Sequence, residues 1–369
     1  MTRYPALSRR GALRVGLGAF GGLLCGCRTP ALGRADLESE PPPPGLSPAL
    51  YESLRLASLA PSGHNAQPWY VRVKGDRLTI SKDAACELPA VDPDNRELAI
   101  SIGAFVETFV LAAGAQGLAA EVKVVGADTQ ADEYVRIALS PATVSGYQTA
   151  RIEQRRTLRK GHNDRSLDPA MVTVATGPLE SFSVIPAASP RGRRLREITY
   201  EANRQQIQRD DAQRELAAWM RFDDESIRRL RDGLTPASME LSKTASRVVG
   251  RYDQDEVMSP RFRKRSLAVV EEQLASFGAW LVVTGADDLA GLIETGRQWQ
   301  RSALLMREFG LALHPMSQAL EELPWRDELA SELGLAVAPQ MLARLSAVDD
   351  YAAPVSPRRP VSWFVDIES

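Results

Sequence analysis

The sequence predicts an α+β chain. Helical stretches outnumber strand stretches, and the two do not alternate strictly as a doubly wound sheet requires. One long helix, ending near Gly117, is apolar enough to be central, and a second, at 287–309, carries its apolar residues on one face. No GxGxxG, Walker A or GxSxG pattern lies between a strand and a helix; the glycines at 16, 18 and 21 fall inside an N-terminal apolar run.

That N-terminal run is read as an address. Residues 8–14 are polar and basic, and residues 15–24 are apolar but too short to span a bilayer. The Arg9-Arg10 pair reads as a twin-arginine export signal to the periplasm. Leu24-Cys25-Gly26-Cys27 reads as a lipobox, with Cys27 lipidated after cleavage. Residues 28–48 carry four consecutive prolines, 41–44, and predict a stiff extended tether. The domain reading is therefore 1–27 signal, 28–48 tether, 49–150 first half and 151–369 second half.

Within the first half, residues 48–59 predict a short amphipathic helix ending at Pro61. Residues 69–73 and 78–81 alternate around Lys74-Gly75-Asp76, as a hairpin does. Residues 94–97 fit a capping box opening a buried helix that runs to Gly117. Strands follow at 121–125 and 134–139. In the second half, helices are expected at 194–208, 223–232, 269–277 and 287–309, with a buried strand at 279–284 and a last strand at 361–367. Residues 233–265, broken by Pro236 and Pro260, predict a lid or crossing segment.

Composition bounds the function. The 45 Lys+Arg nearly balance 47 Asp+Glu in the 369 residues, so no nucleic-acid partner is expected. The basic runs at 191–196 and 261–265 are read as solvated faces. Three cysteines, two of them in the signal, and three scattered histidines build neither a disulfide framework nor a metal site.

Three segments carry the chemistry. The first is APSGHNAQPW, residues 60–69: its prolines fix the backbone, Gly63 permits close approach, and Ser62, Asn65 and Gln67 offer neutral donors and acceptors. Such a loop suits a planar heterocycle. The second holds Arg155, Arg156, Thr157 and Arg159, a set of cations and a hydroxyl suited to a phosphate dianion. The third, Ser356-Pro357-Arg358-Arg359-Pro360, fixes two further cations between prolines.

Together these segments resemble the nitroreductase family, in particular its two-repeat, Acg-like branch, across roughly residues 49–367. Pro61, Ser62, Asn65, Gln67 and Trp69 match the family's loop, and Gly63 is counted with it as cofactor-binding. Arg155, Arg156, Thr157 and Arg159 match its R-[RH]-[ST]-x-[RK] motif, and Ser356, Arg358 and Arg359 its C-terminal phosphate pair. The resemblance implies an FMN cofactor whose phosphate is gripped by the arginines, and a nitroreductase-like fold of two tandem halves forming an intrachain pseudo-dimer. Because the loop precedes the basic motif and nothing like that motif precedes the loop, one FMN per chain is expected. Pro315, Met316, Ser317 and Gln318 correspond to the family's turn at the reactive edge of the flavin, without its acidic residue and glycine. His314, beside that turn, is read as packed, and no general base is assigned.

The function so implied is an exported FMN-dependent oxidoreductase passing electrons to a small-molecule acceptor or substrate. It would touch the membrane by its lipid anchor only, as a monomeric pseudo-dimer or a homodimer of it. The alternative is a flavin-storing protein without turnover.

Overall fold

The computed structural model describes residues 32, 34–37, 39–177, 181–335 and 337–368. The expected export signal, with Arg9, Arg10 and Cys27, lies outside them.

Local chemistry sets the first elements. Ser47 caps the Pro48–Ala57 helix by accepting from Leu50 N, and proline takes its first position. Strands β1 (Trp69–Lys74) and β2 (Arg77–Lys82) pair antiparallel around Gly75, whose φ is 58°. The Arg96–Ala115 helix is buried along most of its length. Among the described residues it alone is long and apolar enough to cross a membrane. Its cap differs from expectation. Asn95 stands at the N-cap in a left-handed conformation with no side-chain capping bond, and the Asp92 carboxylate accepts from Glu97 N and Leu98 N instead. β3 (Leu118–Val124) and β4 (Glu133–Pro141) follow.

The second part supplies β5 (Phe182–Pro186), β6 (Ala279–Thr284), the Leu289–Glu308 helix, β7 (Leu311–Pro315) and β8 (Pro339–Ala347). With β9 (Val365–Ile367) at one edge, the two sheets run β3-β4-β2-β1-β9 and β5-β6-β8-β7. Leaving out β9, the order β3-β4-β2-β1 repeats as β7-β8-β6-β5, each pair antiparallel. In both parts a twenty-residue helix joins the second strand to the third.

These two helices cross at glycine. A Cβ on Gly103 would stand 2.2 Å from the Ile293 carbonyl oxygen, and one on Gly296 would stand 2.0 Å from that of Ile100. Only hydrogen fits at either position. One apolar core runs through both parts, including Trp69, Phe105, Phe109, Ile293, Trp299 and Leu345. Beside the crossing, buried Glu107 accepts from Arg297 and Arg301, and Gln300 donates to Thr108.

Two expectations are corrected, and one strand lies where none was expected. Residues 361–367 open with a helical turn, Val361–Phe364, and only β9, Val365–Ile367, is strand; it pairs parallel with β1. The proline-rich stretch does not run free. Ser362 donates to Glu40, Tyr51 donates to the Glu40 carbonyl, Arg34 N donates to Val355 O, and Leu32 is buried. β8 is a third difference. Its run PQMLARLSA carries Gln340, Arg344 and Ser346, yet all three are buried and hydrogen-bonded, which hides the strand from hydropathy.

Candidate functional site

The helix at Pro48–Ala57 delivers the chain into the loop at 60–68, which β1 then anchors. Trp69 is buried and stacked on Phe105 with ring centroids 4.8 Å apart, so it is a core residue. In the loop the left-handed residues are His64 (φ 48°), Asn65 (57°) and Gln67 (57°), rather than Gly63. Three such non-glycine residues within four positions concentrate backbone strain here. Surrounding bonds hold it. Asn65 donates to Gly233 O and Pro357 O and accepts from Arg358, while Ser62 Oγ accepts from Gln67 N.

Two cavities meet at this loop. The larger, about 370 Å³, is walled by Pro61–His64, by Glu97 and Ser101 of the Arg96–Ala115 helix, and by His314–Gln318 and Glu321 at the end of β7. The smaller, about 80 Å³, is lined by Arg155, Arg156, Thr157, Arg159, Ser356, Arg358 and Arg34, with no acidic side chain among its described lining residues. Pro61, Ser62, His64, Thr157, Arg159 and Leu234 belong to both, so the two form one cleft.

The basic segment is extended where the Ala150–Gln154 helix stops. Arg155 donates to Leu59 O at 3.1 Å; Arg358 donates to Ala60 O at 3.1 Å and to Asn65 Oδ1 at 2.6 Å. Burial lowers Arg155 to about 10 and holds Arg358 well below the usual arginine value, with Arg155 and Arg34 repelling Arg358 further. The buried Nε atoms of both have no partner. Arg159 donates to Ser238 O, and Arg156 is paired with Glu240, which also accepts from the backbone of Arg159 and Lys160.

Two site expectations are corrected. Arg359 lines neither cavity: it pairs with Asp232 and donates to Cys86 Sγ, while its backbone N–H donates to Gln67 Oε1. Gln67 is likewise absent from both walls, and its Nε2 donates to Arg231 O. These two lock the loop to the C-terminal segment. The other expected residues, Pro61, Ser62, Gly63, Asn65, Arg155, Arg156, Thr157, Arg159, Pro315, Met316, Ser317, Gln318, Ser356 and Arg358, all line the cleft.

The cavity also holds residues that sequence reasoning left unassigned. His64 lines both cavities, its buried Nδ1 has no partner, and burial drops it to about 4. Glu321 accepts from Gln206 and Ser317; burial and nearby Glu97 raise it well above the usual carboxylate value. His314 accepts at Nδ1 from Arg344 at 2.6 Å, which leaves its proton on Nε2, and burial keeps it neutral. It is a donor in the wall rather than a base. Leu234 and Ser238 of the expected lid roof the arginine end, and Ser266, Val270 and Gln273 wall the larger cavity.

No family model matches the chain. Two chains from strains of Mycobacterium tuberculosis, provisionally named NAD(P)H nitroreductases, are each 25% identical over 323 residues, covering 85% of this chain and 90% of theirs. The similarity is to nitroreductases. Solved structures aligned with it include the FMN-dependent nitroreductase NfnB of Mycobacterium smegmatis in complex with NADPH, with TM-score 0.38, 16% identity, and coverage of 59% of this chain and 96% of that one. A nitroreductase-like family protein from Bacillus cereus aligns with TM-score 0.34 and 13% identity over 59% of this chain and 94% of its own.

Proposed function

We propose that the chain is an exported, FMN-dependent oxidoreductase of the nitroreductase type, holding one FMN per chain. The observation that carries this reading is the continuous cleft, with an acid-free arginine end opening into a cavity of about 370 Å³. Arg155, Arg358, Arg159 and Thr157 would hold the phosphate by charge-assisted bonds. Pro61, Ser62, His64 and the Pro315–Gln318 turn would enclose the ring system. Bound flavin supplies the redox chemistry; the protein's residues orient it and exclude water. The relatives' names support the activity, and the acceptor is a small molecule.

The repeated strand order and the reciprocal glycine crossing support a duplicated, pseudo-dimeric chain, with the cleft between its halves. The Arg9-Arg10 pair and Cys27 support export and lipid anchoring. Cys27 precedes Leu32 by five residues, a reach of at most about 18 Å of extended chain. A lipid on Cys27 would therefore hold the body close against the bilayer.

A storage role without turnover is the second reading, favoured by the roof of Leu234 and Ser238, which Glu240 ties to the basic segment. Anaerobic mixing separates the two. NADPH bleaching the bound flavin supports the oxidoreductase; bleaching by dithionite alone supports storage. A purified protein that takes up no FMN contradicts both.

A further inference from the structure

We propose that the N-terminal Arg34–Asp36 turn is a strap that completes the phosphate end of the cleft, with Arg34 as a direct ligand of the phosphate. The inference rests on the FMN reading above and extends it to a segment that lies outside both sheets.

The turn is attached at both basic segments. Arg34 N donates to Val355 O at 2.9 Å, next to Ser356 and three residues before the cavity-lining Arg358. Its guanidinium Nη2 donates to Glu153 O at 2.6 Å, two residues before Arg155. Upstream, Leu32 is buried and its N–H donates to Asp224 Oδ1 at 3.1 Å. The side chain of Arg34 thereby lines the same 80 Å³ cavity as Arg155 and Arg358.

Arg34, Arg155 and Arg358 face this cavity and donate from their guanidinium groups only to neutral acceptors, Glu153 O, Leu59 O, Ala60 O, Pro357 O and Asn65 Oδ1, as Arg159 does to Ser238 O. Arg34 lowers the proton affinity of both Arg155 and Arg358, while the Glu153 carboxylate raises that of Arg34. Like charges gathered in one small space repel, and a dianion among them reverses the sign of that energy. Arg34 differs from the other two in being carried on a short terminal segment. Closing the strap brings a further cation to the anion, and the anion in turn draws the strap closed. By linkage the two effects are equal in free energy.

The test compares FMN with riboflavin, which lacks the phosphate, on the full exported chain and on its Arg34→Ala, Arg34→Lys and Asp224→Ala variants. The expected result is an FMN affinity lowered about tenfold or more in Arg34→Ala, restored in part by lysine, with riboflavin affinity unchanged. Asp224→Ala should lose part of the FMN affinity, although its side chain lines neither cavity. Hydrogen exchange at residues 34–37 should slow on adding FMN or inorganic phosphate to the wild-type chain. Equal FMN affinities for wild type and Arg34→Ala, or an equal loss for riboflavin, overturn the proposal. So does exchange at 34–37 that ignores both FMN and phosphate. A wild-type chain that binds no FMN defeats the flavin reading; the strap then stands if inorganic phosphate slows that exchange in wild type but not in Arg34→Ala, and falls if it does not.

Discussion

Gly103 and Gly296 each occupy the eighth position of a twenty-residue helix, and each makes room for the backbone of the other's helix. A methyl group at either site meets a carbonyl oxygen that cannot step aside without moving the helix. Gly103→Ala and Gly296→Ala should therefore each destabilise by more than the ~1–3 kcal/mol of ordinary overpacking. Equilibrium denaturation measures this; the two losses should match, because the contacts are reciprocal.

Arg155 and Arg358 are buried cations without a buried counter-charge in their cavity. Arg155→Ala or Arg358→Ala should weaken FMN binding by about 2–5 kcal/mol. Without ligand, the melting temperature should hold or rise, since a desolvated charge is removed. Titration of FMN fluorescence, with thermal melts of the flavin-free protein, reads both.

Asp232 sits between two guanidinium groups, those of Arg221 and Arg359, and is almost fully buried. Asp232→Ala strands both cations and should cost about 3–5 kcal/mol. Arg359→Ala leaves the Arg221–Asp232 pair intact and should cost less. Flavin bound per folded chain should persist in Arg359→Ala, which separates a clamp on the loop from a phosphate ligand.

Glu321 gives a pH dependence of definite sign. Its folded value is raised, so above the ordinary carboxylate value of 4.5 the folded chain binds a proton that the unfolded chain releases. Its contribution is therefore intact below 4.5 and lost as pH rises toward the folded value. In Glu321→Gln that loss disappears. The stability of Glu321→Gln relative to wild type should climb between pH 4.5 and neutrality, as denaturant melts at a series of pH values will show.

Much of this was legible in the sequence, for reasons that differ by residue. The hairpin at β1–β2, the Arg96–Ala115 helix and the Leu289–Glu308 helix follow from periodicity and turn residues alone. The segments of the cleft are contiguous motifs whose types suit a phosphate and a planar ring, so they too could be found. What stayed hidden depends on tertiary partners. Arg344 makes β8 look polar until His314 and the Gln273 carbonyl are seen to receive its donors. Arg34 reads as a tether residue until Val355 and Glu153 are seen to hold it. Arg358 and Arg359 are adjacent and chemically alike; only the fold sends one into the cleft and the other to Asp232.

The stoichiometry and phosphate dependence of flavin binding test the central claim most directly. Purified protein saturated with FMN, freed of excess ligand and denatured for absorbance should release one flavin per chain, with riboflavin bound far more weakly. Two flavins per chain, none, or equal retention of FMN and riboflavin would contradict a single cleft whose arginine end grips a phosphate.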